Sequence, residues 1–424
     1  MSKVLKEGLS ASVLIYVVLI FNYIFATLFV RELGAGLYGH FVYLATLQTF
    51  LLTLVGFGFQ VQILRFQSDL EQFRPIASVF VCLAVVITGW SCVCYTRYAD
   101  SYGGPVLYVL VCATLTTLLN GTSPLWQWVE RVGSFQCSRF VLALLKTGML
   151  VGVLIWPHTE TMWLISLGVG SAGIVFWSVN WLGLFSAKSL LEAKSYVACC
   201  QHFNLKLWFS QLAIVVYGRI DILMLPLLGA TTTDIGIYGY LYGFFSAVVM
   251  LPSTIQSVLL RPLFAKELQG EDIFDKIYLI YITCGLVTGG GFYWILPPVL
   301  AWLVGPEASN QEVIEVLALC IPVVFLANLL GLALLAEAKD GWRSIAQWGA
   351  AGINVLLNLL WIPKFGILGA AAATTLAYLG LLTLFAWGVF KYDVWKLRSY
   401  ALPLSIIILT MAVSLLWLCR SFFV

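Results

Sequence analysis

Leu33-Gly34-Ala35-Gly36-Leu37-Tyr38-Gly39 joins two long apolar runs, and the chain repeats it as Leu228-Gly229-Ala230 and, five residues later, Gly236-Ile237-Tyr238-Gly239. Both copies are followed by an apolar run that ends on an arginine, Arg65 after Ile63-Leu64 and Arg261 after Leu259-Leu260. Self-similarity at such a distance is the mark of a duplicated architecture. It sets the first pair of apolar runs against the seventh and eighth. That offset is even, so equivalent runs cross a membrane in the same direction and the halves are related by a pseudo-two-fold axis along its normal.

The composition supplies the membrane. Of 424 residues, 61% are hydrophobic and 10% are charged, against about a quarter charged in soluble globular chains. A hydrocarbon core about 30 Å thick needs roughly 20 apolar residues per crossing. Runs of that length are read near 10–30, 38–58, 75–95, 105–123, 138–156 and 162–184, then 205–228, 237–260, 277–296, 312–336, 344–362 and 367–390, with one more near 400–418. The short apolar piece Pro297–Gly305 reads as an interfacial segment closing the ninth span. The first run is too long for a signal-peptide core and lacks a clear small-x-small cleavage site, so it is read as a helix.

The predicted fold is therefore an all-α polytopic membrane protein. Residues 1–186 form a six-helix lobe, 187–204 a cytoplasmic linker and 205–392 a second six-helix lobe, with an extra C-terminal segment in 393–424. With the amino terminus inside, only Arg31, Arg97, Lys364 and Arg420 of the 23 Lys and Arg fall on the outer side, and Lys146 and Arg219 fall within spans. The positive-inside rule is then satisfied, and the net charge of +3 reflects topology and not nucleic-acid binding. The 10 cysteines lie mostly in or beside spans. Cys92-x-Cys94 and Cys199-Cys200 lack the second ligand pair of a zinc site, so neither metal nor cofactor is expected.

Three stretches resemble a known family, the polysaccharide-transport branch of the multidrug/oligosaccharidyl-lipid/polysaccharide flippases, which includes the Wzx-type O-antigen flippases. They are Arg31-Glu32-Leu33-Gly34 leading to Tyr38-Gly39-His40-Phe41; Asp221-Ile222-Leu223-Met224-Leu225 followed by Gly236-Ile237-Tyr238; and Asn358-Leu359-Leu360-Trp361-Ile362-Pro363-Lys364-Phe365-Gly366-Ile367-Leu368-Gly369-Ala370-Ala371. The resemblance implies an alternating-access flippase of the inner membrane that moves an isoprenoid-pyrophosphate-linked oligosaccharide to the outer leaflet. It also implies the polymerase and chain-length proteins of the same pathway as partners. The family often has twelve or fourteen helices, so a count of thirteen makes the last run an unpaired addition or one of the spans wrong.

Such a substrate sets the chemistry. Each buried CH₂ is worth about 0.8 kcal/mol, so the tail stays in the bilayer while the anionic head crosses a polar cavity. The head needs cations at depth. Lys146 and Arg219 are the candidates inside spans, with Arg31 at the outer end of the first. Each has an alternative as an ion-pair partner, a snorkelling side chain or a structural anchor. Asp221 lies two residues from Arg219 and thus on nearly the opposite helix face. It either holds helix packing or titrates during the cycle. Arg65 and Arg261 are candidates for a cationic cytoplasmic rim, or ordinary positive-inside residues. Tyr238, Tyr240, Tyr242, Trp126 and Trp128 are candidate glycan contacts, set against the interfacial aromatic belt.

Two other function classes remain. A cation-coupled multidrug exporter of the same superfamily would more often show buried carboxylates. An O-antigen polymerase or glycosyltransferase would carry catalytic groups on a large outer loop, and the outer loops read here are short. No metal triad, phosphate-cradling glycine loop or nucleophile–base pair is present on a loop, so a transporter and not an enzyme is expected.

Overall fold

A computed structural model describes residues 2–55, scattered helical positions in 86–93 and 140–151, and residues 205–264, 271–305 and 310–394. The described residues form helices α1 (Ser2–Leu33), α2 (Ala35–Val55), α3 (Leu205–Leu227), α4 (Thr232–Phe264), α5 (Glu271–Leu303), α6 (Gln311–Ala336) and α7 (Asp340–Lys391), with no strand among them. All seven contain stretches long and apolar enough to cross a membrane. The chain is a multi-pass membrane protein. The fourth and sixth expected spans, most of the third and fifth, the linker 187–204 and the run near 400–418 lie outside the described residues.

The two copies of the repeat are built alike. Gly34 and Gly229 take φ of +88° and +93°, the left-handed region that glycine enters without a Cβ penalty and that ends helices. The Ala230 N–H returns to the Leu225 carbonyl at 3.0 Å. The five-residue insertion of the second copy makes a reciprocal cap for α4: Asp234 Oδ2 accepts from the Thr231 N–H at 3.0 Å, while Thr231 Oγ1 accepts from the Asp234 N–H at 3.1 Å. This is the capping-box arrangement with aspartate in the glutamate position. It starts α4 at Thr232, ahead of the expected 237. The first copy has no such residues, and α2 begins directly at Ala35.

Two expected boundaries change. The segment Pro297–Gly305 is not a separate piece: α5 continues through Pro297 and Pro298 to Leu303, and Gly305, at φ +101°, follows its end. The spans expected at 344–362 and 367–390 form one element, α7, of 52 residues. A straight helix of that size would run about 78 Å at 1.5 Å per residue, more than twice a hydrocarbon core. Gly366 breaks it at φ +57°, ψ −132°, and the halves fold back on each other. Trp342 Nε1 donates to the Leu384 carbonyl at 2.9 Å, and Asn354 Nδ2 donates to Thr374 Oγ1 at 3.4 Å. A Cβ on Gly369 would overlap the Trp361 carbonyl oxygen.

Gly366 has open space where a Cβ would go, so the cost of a side chain there is conformational alone. Gly366→Ala is expected to destabilise the protein by about 1–3 kcal/mol, read as a lower Tm of the purified chain. Gly352→Ala, in the first half of α7 with equally open space, is expected to leave Tm unchanged.

The chain separates into two compact units, Met1–Glu32 with Tyr43–Leu212, and Leu33–Val42 with Ala213–Val424. In the first, Phe21 packs edge-on to Phe140 at 5.5 Å and its carbonyl accepts from Thr147 Oγ1 at 3.1 Å. In the second, α6 is buried along nearly its whole length, from Val313 to Leu334, and touches α4, α5 and α7. A helix apolar on every face belongs in such a central position. The start of α2 packs in the second unit against the start of α4, glycine to glycine: a Cβ on Gly39 would overlap the Thr232 carbonyl oxygen, and one on Gly236 the Ala35 carbonyl oxygen. The two repeat copies thus meet backbone to backbone, with Tyr38 edge-on to Tyr240 at 6.2 Å.

Candidate functional site

Asp221 lies in the last third of α3, within the apolar span, and is 1% exposed. A carboxylate at such depth is costly unless its oxygens are satisfied. Three donors reach it. The Ile222 backbone N–H donates to Oδ1 at 2.8 Å, and the Tyr238 hydroxyl and Thr374 Oγ1 donate to Oδ2, the latter at 3.1 Å. Tyr238 comes from the start of α4 and Thr374 from the second half of α7. The network then runs through the first half of α7: Asn354 Nδ2 donates to Thr374 Oγ1, and Asn358 Nδ2 to Asn354 Oδ1 at 2.8 Å. All of these residues are buried. Asn358 Oδ1 is buried with no hydrogen-bond partner.

The cluster is a carboxylate, two carboxamides and two hydroxyls, with one acceptor left over. Oxygen donors of this kind suit a proton or a hard cation; transition metals favour thiolate or imidazole. No group of three or more His, Cys, Asp or Glu side chains that could hold a metal is present among the described residues. The only formal charge in the network is that of Asp221. A bound proton or monovalent cation would neutralise it, and intramembrane carboxylates paired only with neutral groups commonly mark such ion paths.

Arg219 is exposed on the opposite face of α3, as the spacing of two residues requires, and forms no hydrogen bond or ion pair among the described residues. Arg31 is also exposed and lies 3.4 Å from Glu32 Oε1. A solvent-exposed pair of this kind is worth about 0–1 kcal/mol. Tyr238, Tyr240 and Tyr242 are all buried, in contrast to the expectation of surfaces open to a glycan. The Tyr238 hydroxyl is committed to Asp221 and that of Tyr242 to the Gly218 carbonyl, while Tyr240 packs edge-on against Phe244 at 5.2 Å. Tyr238, Tyr240, Leu241 and Tyr242 are buried together, so alternation along this part of α4 gives no exposed stripe. Lys146, Arg65, Trp126 and Trp128 lie outside the described residues. So does the Arg261 side chain, although α4 extends past that position.

Sequence reasoning reaches Asp221 and Tyr238 and misses Thr374, Asn354 and Asn358. A signal is present: two asparagines at i and i+4 share one helix face, in a span otherwise almost wholly apolar. The glycine and proline pattern of the stretch from Asn358 masks it.

No family model matches the chain, and no curated protein matches it. Among solved structures it is similar to the lipid II flippase MurJ in an inward closed conformation, at 15% identity over 97% of both chains with a TM-score of 0.61. It is also similar to an inward-facing multidrug resistance MATE family transporter of the MOP superfamily, at 11% identity over 92% of this chain and 99% of that one, again with a TM-score of 0.61. At these identities the likeness is one of fold.

Proposed function

We propose that this protein is an ion-coupled flippase that moves an isoprenoid-pyrophosphate-linked oligosaccharide, such as an O-antigen or other surface-polysaccharide repeat unit, across the inner membrane. The observation that carries the reading lies on one helix: α3 presents Arg219 on an exposed face, with no hydrogen bond or ion pair among the described residues, and holds Asp221 on the other face in a cluster of neutral oxygen groups. The two faces suit two tasks. Arg219 offers a guanidinium fork that matches phosphate oxygens in a bidentate manner. Asp221 loads and unloads a proton or cation, and the change of charge biases the helix hairpin of α7 that shares its hydrogen bonds. In this reading two six-helix lobes, 1–186 and 205–392, alternate access to the substrate head. Lys146 and Arg31 are further cations on the path, with Arg65 and Arg261 at the cytoplasmic rim. The glycan contacts fall to Trp126, Trp128 and other aromatics, not to the buried tyrosines.

Arg219→Ala, made at normal protein level, is expected to lower flipping of a labelled lipid-linked oligosaccharide in sealed vesicles by about tenfold or more. That is the size of one lost charge-assisted hydrogen bond, about 1.5–3 kcal/mol. Arg219→Lys is expected to keep part of the activity. Full activity in both variants would remove Arg219 from the path. Flipping that ignores voltage and every imposed ion gradient would end the coupling half of the proposal.

One observation favours a second reading, a cation-coupled multidrug exporter. Asp221 is a buried carboxylate of the kind that such an exporter more often shows, and it does not depend on an anionic substrate. Vesicles that extrude a cationic dye under an ion gradient and leave the lipid-linked oligosaccharide in place would select it.

A further inference from the structure

Within the second unit a cavity of about 220 Å³ lies among α3, α4, α6 and both halves of α7. Its polar lining is Arg343, Gln347, Asn328, Tyr217, Tyr378 and Ser253, and apolar side chains with Gly331 make up the rest. Arg343 enters from the first turn of α7. Its Nε is buried without a hydrogen-bond partner, and its guanidinium makes no hydrogen bond or ion pair among the described residues. Asp340, one turn earlier, is close enough for its charge to be felt at Arg343 but is not bonded to it. Tyr217 and Tyr378 stand edge-to-face at 5.4 Å, and neither hydroxyl bonds a protein group among the described residues. Gln347, 2% exposed, lies one turn beyond Arg343 on the same face.

An arginine whose Nε is buried in a cavity wall without a hydrogen-bond partner is an expensive arrangement. The guanidinium fork only donates and the two phenol hydroxyls can each donate, while Asn328 Nδ2 already donates to the Val324 carbonyl at 2.9 Å. Arg343 carries the one formal charge of the lining, and Asp340 beside it offsets part of that charge, so the site suits an oxyanion of no more than one negative charge. The volume is below the roughly 300–1,000 Å³ of drug-sized sites, so it takes a headgroup-sized fragment.

We propose that this cavity is a binding site for a singly charged oxyanion, held by Arg343 and completed by the Tyr217 and Tyr378 hydroxyls. It is separate from the Arg219 face of α3, since Tyr217 and Arg219 are two residues apart and only Tyr217 lines it. The shared chemistry is an oxyanion that is either free in solution or carried on a phospholipid headgroup. The proposal concerns binding to the resting protein and stands apart from the transported substrate.

The test uses the purified full chain in neutral detergent. Thermal unfolding is followed with inorganic phosphate at constant ionic strength, with phosphatidylglycerol, and with diacylglycerol as the uncharged control. At least one anionic probe is expected to raise Tm by a few degrees in a saturable way, as a ligand of the folded state does. Arg343→Gln is expected to abolish that shift. A response to phosphatidylglycerol alone assigns a lipid headgroup, and a response to inorganic phosphate assigns a solute. The double variant Tyr217→Phe with Tyr378→Phe removes only hydroxyls and keeps the test open if Arg343→Gln does not fold; it is expected to raise the half-saturating concentration several-fold. No shift with either anion, an equal shift in Arg343→Gln, or an unchanged half-saturating concentration in the double variant would overturn the proposal.

Discussion

Asp221→Asn is expected to leave a folded protein whose transport no longer responds to an ion gradient. In Asp221 the two carboxylate oxygens accept from the Ile222 N–H, the Tyr238 hydroxyl and Thr374 Oγ1. Asparagine keeps one acceptor oxygen and nearly the same shape but carries no negative charge at any pH. The gradient-driven component should fall by roughly 5–150-fold, the span of ordinary coupling between sites. Asp221→Ala differs in kind. It strands three buried donors at about 1–3 kcal/mol each, so Tm should drop along with transport. The measurement is flipping in sealed vesicles with imposed proton and sodium gradients, beside thermal unfolding of the same preparations. If Asp221→Asn retained full gradient dependence, the carboxylate would be a packing group and the exporter reading would lose its support too.

Gly236→Val is expected to prevent the protein from folding to a single species. Even a methyl at Gly236 overlaps the Ala35 carbonyl oxygen and comes within 3.0 Å of the Gly39 backbone N. These are backbone atoms near two helix starts and have no rotamer to change. Overpacking of a close contact costs about 1–3 kcal/mol and sometimes more, and valine adds two methyls to the group that already collides. Gly236→Ala is expected to lower Tm, and Gly236→Val to abolish a monodisperse peak in size-exclusion chromatography. Gly290→Ala in α5, where nothing lies within 4 Å of the place a Cβ would take, serves as the neutral comparison. A wild-type Tm for Gly236→Ala would show that the two helix starts are free to part.

Several elements are legible in the sequence because apolar length in a membrane is nearly one-dimensional information. The expected spans at 205–228 and 312–336 match α3 and α6 within a residue. Departures arise where local hydrogen bonding and not hydropathy sets the end. Thr231 and Asp234 start α4 early, and α5 runs on through two prolines that by residue type look like a boundary. Gly366 belongs to a family-like pattern in the sequence. Its physical role, reversal of α7 at positive φ, needs the backbone. The tyrosine triplet escapes sequence reasoning for a related reason: how many neighbours surround a helix is not written in its own spacing.

By itself the sequence determined the membrane class, the duplicated turn and the separation of Arg219 from Asp221 onto opposite faces. Each follows from run length or from the helical repeat within a single segment. The tertiary structure alone decided that Asp221 meets Thr374, 153 residues away, and that Asn354 and Asn358 extend that network. It alone decided that Gly39 touches the turn around Gly236 and that Arg343 faces a cavity with Tyr217 and Tyr378. A helical period determines which side a residue faces. Which residues share that side from other helices depends on the packing of all of them together.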